Sequence, residues 1–130
     1  MRHADANAVA SSILARIQSA VDAKDADALI DLFDDTAVLV GTAGHGRRPE
    51  EVREYLTAVV AQPGSLSWEW RDVVVFHEGP GAIGFAGFGD IVVADQDGEQ
   101  RAPIRLTAFA VQSPAGWRLR QFHGSIPAGF

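Results

Sequence analysis

Arg105, Thr107, Gln121, His123 and Ser125 sit at alternate positions in two segments that flank Pro114-Ala115-Gly116. That tripeptide suits a three-residue hairpin loop, with proline leading a type I turn and glycine in the left-handed position. The implied register puts Ser113 opposite Trp117, then pairs Val111 with Leu119, Phe109 with Gln121, Thr107 with His123 and Arg105 with Ser125. All ten side chains then share one face, apolar near the turn and polar at the far end. A solvated face has no need of Trp117 and Phe109, and a plain core face would not gather arginine, histidine and glutamine. A pocket with an apolar wall and a polar end accounts for both.

Each of these residue types carries a distinct chemistry. His123 carries an imidazole, a side-chain type suited to proton transfer, so it reads either as a general acid or base or as a structural histidine hydrogen-bonded to Thr107. A buried Arg105 guanidinium needs an anion, supplied by a protein carboxylate or by the carboxylate or enolate of a ligand. Asp90, within the apolar run Gly89-Asp90-Ile91-Val92-Val93, reads either as a proton acceptor or as an exposed residue or the partner of Arg105. Trp68 and Trp70 share a strand face and could wall the pocket or pack a core or dimer contact. Tyr55 brings a hydroxyl from a helix, and Thr107, Gln121, Ser125 and Phe109 complete the ligand-binding set. His3, His45, His77 and His123 are scattered, without the spacing of metal ligands, and Gly44 to Gly46 lacks the lysine and spacing of a phosphate loop. No metal and no cofactor is implied.

The elements that must position these residues follow from periodicity. Val9, Ile13, Ile17 and Val21, with Ala10, Leu14 and Ala20, form the stripe of a first amphipathic helix. Asp25 caps a short second helix carrying Leu29, Ile30, Leu32 and Phe33, which Asp34-Asp35-Thr36 closes before a β-branched run at 37–40. After the glycine-rich stretch 41–46, Pro49 and Glu50-Glu51 start a third helix with Val52, Tyr55, Leu56, Val59 and Val60 on one face, stopped by Pro63-Gly64. Residues 68–77, 82–94, 102–113 and 117–126 read as strands of an antiparallel meander. Gly84, Gly87 and Gly89 in one strand predict curvature. Helices first and strands afterwards define an α+β domain in which three helices cover one face of a curved antiparallel sheet.

With 130 residues and no linker, repeat or low-complexity tract, one domain spanning 1–130 is expected. Seventeen acidic against eleven basic residues give a net charge of −6, which argues against nucleic acid. Cysteine is absent, so disulfides, thiolate metal sites and a cysteine nucleophile are excluded. No uncharged run approaches the roughly 20 residues that cross a bilayer, so a soluble, cytoplasmic protein is expected. Ile104, Leu106, Ala108, Ala110 and Phe122 would lie on the face opposite the pocket, which predicts a homodimer through that outer sheet face.

The order helix, helix, strand, helix and four strands, ending in Trp117-Arg118-Leu119-Arg120-Gln121-Phe122-His123-Gly124-Ser125, resembles the nuclear transport factor 2-like superfamily, and within it the SnoaL-like branch. The resemblance spans residues 13–127 and is also carried by Val40-Gly41-Thr42, Gly46 and Arg105-Leu106-Thr107. It implies a cone-shaped, cystatin-like fold with an internal pocket and dimerisation across the sheet. It further implies either cofactor-free acid-base chemistry of the isomerase or polyketide-cyclase kind on an apolar carbonyl compound, or a binding or oligomerisation module without turnover. The Trp-His-Ser spacing also resembles the association domain of calmodulin-dependent kinases. Two departures narrow the choice. Val38-Leu39-Val40-Gly41 offers no aspartate where ketosteroid isomerases place their base, and Arg105-Leu106-Thr107 has threonine where limonene epoxide hydrolases carry a carboxylate. Catalysis, if present, would fall to His123 with Asp90.

Overall fold

A computed structural model describes residues 3–129. The chain runs α1 (His3–Asp22), α2 (Ala26–Asp31), β1 (Phe33–Val40), β2 (His45–Gly46), α3 (Pro49–Ala61), β3 (Ser65–Gly79), β4 (Ala82–Asp95), β5 (Gly98–Ser113) and β6 (Gly116–Ser125). Six strands form one sheet in the order β2-β1-β6-β5-β4-β3, antiparallel except for β1, which runs parallel to β6. The helices lie on one side of this curved sheet, so the chain forms the α+β arrangement expected from the order of elements and the cone that the resemblance implies, with a mixed sheet in place of the expected antiparallel one.

α1 buries Ala6, Ala10, Ile13, Leu14, Ile17, Ala20 and Val21, the predicted stripe. It ends in a Schellman turn, with Asp25 N donating to Ala20 O (2.9 Å) and Lys24 N to Val21 O (3.0 Å). Lys24 takes the left-handed conformation usually left to glycine, at φ 52°. Its ammonium donates to the Gln62 and Gly64 carbonyls at 2.7 and 3.0 Å, which ties the end of α1 to the end of α3. Asp25 caps α2 as expected, accepting from Ala28 N at 3.0 Å. The Gln18 amide spans from α1 to the edge strand, donating to Leu66 O (3.1 Å) and accepting from Trp68 N (2.9 Å). Two backbone groups of β3 are thereby satisfied at a sheet edge.

Several boundaries differ from the sequence reading. The second helix closes at Asp31, and Phe33 with Asp34-Asp35-Thr36 belongs to β1. The Asp34 carboxylate accepts from Thr36 N (2.9 Å) and Thr36 Oγ1 (2.7 Å), folding these residues into the irregularity that separates Phe33↔Leu119 from Val38↔Gln121. β5 begins at Gly98, four residues before the expected start, because Asp95↔Gly98 closes a tight turn on β4. Near its turn the β5–β6 hairpin pairs Ser113 with Gly116, Gln112 with Trp117 and Ala110 with Leu119; after an irregularity beyond Ala110 it regains the predicted pairs Phe109↔Gln121, Thr107↔His123 and Arg105↔Ser125. The extra residue turns Leu119 inward.

The principal correction concerns the faces. Ile104, Leu106, Ala108, Ala110 and Leu119 are buried, and Phe122 packs against them, on the side that the helices cover. Arg105, Thr107, Phe109, Gln121, His123 and Ser125 share a face as expected, but it is the outer one. The register fixes which side chains travel together, whereas the helices select the face they cover. Three apolar helix stripes need an apolar partner, and only the aliphatic face can enter a core without stranding polar groups. The residues expected in a dimer contact therefore form the floor of the core. Curvature enters where predicted: a Cβ on Gly89 would collide with the Glu69 carbonyl, opposite the bulge between Trp70 and Asp72.

Candidate functional site

Between the helices and the sheet lies a cavity of 180 Å³. α1 contributes Ile17 and Val21, α3 contributes Tyr55, Leu56 and Val59, and the sheet contributes Leu39, Trp68, Ile91, Val93, Ile104, Phe122 and Gly124. Gly41, Thr42 and Ala43 close one end, their turn held by Gly41 N donating to Gly44 O at 2.8 Å. The cavity opens past Thr42, Ile91 and Val93 into a groove bordered by Gln100, Ala102 and Ile126. Engineered apolar cavities of about 150 Å³ hold benzene, so this one has room for a single substituted ring.

The polar groups of the lining are few. Tyr55, Gln62 and Thr42 supply a phenol, an amide and a hydroxyl, and Tyr55 is the one titratable residue among the lining residues. The Tyr55 hydroxyl has no hydrogen-bond partner among the described residues. Its ring lies against the backbone at Gly41, where a Cβ would strike the hydroxyl. A side chain at position 41 would thus occupy the place of the phenol, which explains the glycine on steric grounds alone. Gln62 continues the face of α3 that bears Tyr55 and Val59; that i, i+4, i+7 spacing was a signal available in the sequence, though the reading had stopped the helix face at Val60. Gln62 and Thr42 are polar lining residues outside the set expected from the hairpin face, and Ile104 and Phe122, expected in a dimer contact, line the cavity instead.

Of the residues singled out in the sequence, Tyr55 and Trp68 line the cavity. Trp70 shares the inner face with Trp68 but lies in a separate groove under α1, beside Leu14, Gln18 and Val73. Arg105, Thr107, Phe109, Gln121, His123 and Ser125 are on the outer face, with the sheet between them and the cavity. There Arg105 Nη2 donates to Ser125 Oγ at 3.2 Å. Thr107 and His123 are cross-strand neighbours, with no side-chain hydrogen bond joining them.

Asp90 also faces outward. Its carboxylate meets Arg71 at 3.0 Å and Arg101 at 3.2 Å, and Arg101 in turn holds Glu69 at 2.6 Å. The Arg71 hydrogen bond, followed by that from Arg101, keeps Asp90 below its ordinary pKa, and the Arg101 hydrogen bond does the same for Glu69. Depressed carboxylates are weak bases. The arginine beside Asp90 is therefore not Arg105, and this cluster reads as an ion-pair network on the sheet surface.

A curved sheet wrapped over three helices around an apolar cavity defines the nuclear transport factor 2-like fold, and solved structures place the chain there. A candidate aromatic ring hydroxylase from Novosphingobium aromaticivorans superposes with a TM-score of 0.83 at 16% identity, covering 97% of this chain and 92% of its own. A nuclear transport factor 2-like superfamily protein from Salmonella enterica gives 0.81 at 16% identity, covering 98% and 94%. A protein with a cystatin-like fold from Caulobacter vibrioides gives 0.76 at 18%, covering 96% and 92%. Identities this low speak to the fold alone. A family model for the SnoaL-like domain matches residues 10–129, and the chain belongs to that family. No curated protein matches it. Among the described residues no helix is long and apolar enough to cross a membrane.

Proposed function

We propose that this SnoaL-like protein binds a small, largely apolar molecule of about one substituted ring in the cavity between helices and sheet, and holds it without transferring a proton. The observation that carries this reading is the lining itself: an apolar wall whose polar groups are the unpartnered Tyr55 hydroxyl, the Gln62 amide and Thr42. An apolar wall supplies affinity by removing surface from water, and a few fixed polar groups select the ligand that can satisfy them. The Tyr55 phenol suits a carbonyl or ether oxygen, to which it can donate. His123 and Asp90, the residues that would carry acid-base chemistry, face away from this cavity, which favours binding over turnover. That the family includes both enzymes and binders leaves the choice to the site.

The test compares acetophenone with isopropylbenzene, which have nearly the same shape but differ in the carbonyl. Isopropylbenzene gains more on leaving water, so the hydrogen bond is read from the variant: in calorimetric titration Tyr55→Phe should weaken acetophenone by roughly 2- to 13-fold, the value of one net hydrogen bond, while leaving isopropylbenzene affinity unchanged. Equal effects of Tyr55→Phe on the two compounds, or unchanged binding when Leu56→Trp fills the cavity, would overturn the reading.

A further inference from the structure

Leu29, Phe33 and Leu39 close the deep end of the cavity, each 5% exposed or less, whereas Val93 at its mouth is 40% exposed. A second gap, between the ends of α1 and α3, is closed by Lys24, which holds the Gln62 and Gly64 carbonyls and leaves 10 Å³ there. A bound molecule therefore meets solvent past Thr42, Ile91 and Val93. What it meets first is an open groove of 570 Å³ at the β4–β5 turn end of the sheet. Ala102 on β5 pairs across to Ile91 on β4, and Ile126, just past β6 and 38% exposed, borders the other side. Exposed apolar side chains continuous with an apolar cavity mark an extension of the binding site.

The chemistry of the groove selects its occupant. Its polar side chains Thr42 and Gln100 are uncharged, and the guanidinium of Arg101, which also borders it, is held by Glu69 and Asp90. β4 and β5 are paired without a break from Ala82↔Val111 to Asp95↔Gly98, so a peptide would find no free strand edge here. An uncharged aliphatic chain needs neither charge nor edge. The Tyr55 ring lies against Gly41 and Gly44, on either side of Thr42 and Ala43, so a carbonyl that accepts from its phenol sits at the mouth, with the cavity on one side and the groove on the other. We propose, resting on the cavity's role as a ring-binding site, that the ligand is an aryl alkyl ketone, whose ring fills the cavity and whose unbranched tail lies along Ile91, Val93, Ala102 and Ile126. The groove spans two strand spacings, about 10 Å, the reach of roughly six carbons.

Two isomers test where the tail goes. Relative to acetophenone, hexanophenone carries its extra methylenes on the carbonyl side and 4-butylacetophenone carries them on the far side of the ring, so their gain on leaving water is nearly the same. In calorimetric titration hexanophenone should bind the wild type on the order of tenfold more tightly than acetophenone, about twofold per added methylene, because the open groove covers one side of the chain. 4-Butylacetophenone should bind at least about fivefold more weakly than hexanophenone, since its chain either runs into Leu29, Phe33 and Leu39 or turns the carbonyl away from Tyr55. Ile126→Asp, at an exposed position past the last strand, should leave the melting of the fold unchanged and cut hexanophenone's advantage over acetophenone to about threefold or less. A loss common to both compounds cancels in that ratio. If acetophenone binds but the isomers bind alike, or hexanophenone gains nothing, or its advantage survives Ile126→Asp, the tail site is overturned and the cavity reading stands. If acetophenone itself does not bind, both are overturned together.

Discussion

Replacing Gly41 by alanine is the sharpest single perturbation of the cavity. A Cβ there would lie 2.5 Å from Tyr55 Cζ and nearer still to the hydroxyl, while ordinary contact begins at about 3.4 Å. The backbone at Gly41 is not left-handed, so alanine is conformationally permitted and the phenol is what must yield. A retreat of about 1 Å moves the ring edge into the 180 Å³ cavity and displaces on the order of 20 Å³, nearly the volume of a methylene. Misfit by one methylene in an apolar pocket costs ~1–3 kcal/mol, or roughly 10- to 200-fold in affinity. Overpacking should lower stability by ~1–3 kcal/mol as well. Gly44→Ala is the matched control, because its Cβ would sit 3.5 Å from Tyr55 Cε2, an ordinary contact. Denaturant melts and acetophenone titrations should therefore separate the two variants. If Gly41→Ala melts and binds like Gly44→Ala, the phenol is not held by its approach to residue 41 and the steric account of this end of the cavity fails.

Two further outcomes follow from packing and titration. Leu119 is fully buried, so Leu119→Ala should cost ~2–5 kcal/mol, whereas Gln112→Ala on the exposed part of β5 should stay within about 0.5 kcal/mol; comparable losses in chemical denaturation would contradict the inward turn of β6. The Thr36 hydroxyl and amide hold the Asp34 carboxyl below its ordinary 3.8, so its contribution is full above that value and is lost as pH falls through the lower folded pKa. Thr36→Val should move the Asp34 titration upward in a carbon-detected NMR series, and an unmoved titration would contradict this account.

Much of this protein was legible in local sequence. The stripe at Ile13, Ile17 and Val21, the Asp25 cap, Pro49 at the start of α3 and the spacing of Tyr55 and Val59 are short-range signals, set by a period of 3.6 and by the hydrogen-bonding needs of helix ends. The cross-strand partners Arg105↔Ser125 and Thr107↔His123 match the expected pairs, but the turn alone does not fix them: Ser113 pairs with Gly116 rather than Trp117, and the irregularity between Phe109 and Ala110, which no local signal announced, restores the register. Which face of that hairpin meets the helices was not legible there. A strand of alternating residues has two faces, and here both carry large apolar groups, Leu106 and Leu119 on one and Phe109 on the other. The choice belongs to elements far away in the chain, because α1 and α3 must cover whichever face can be dehydrated without burying Arg105 and His123. Once that face is taken, the cavity inherits Tyr55, Gln62 and Thr42 as its polar groups, and the arginine, histidine and aspartate that looked like chemistry in the sequence become the outer surface of the sheet.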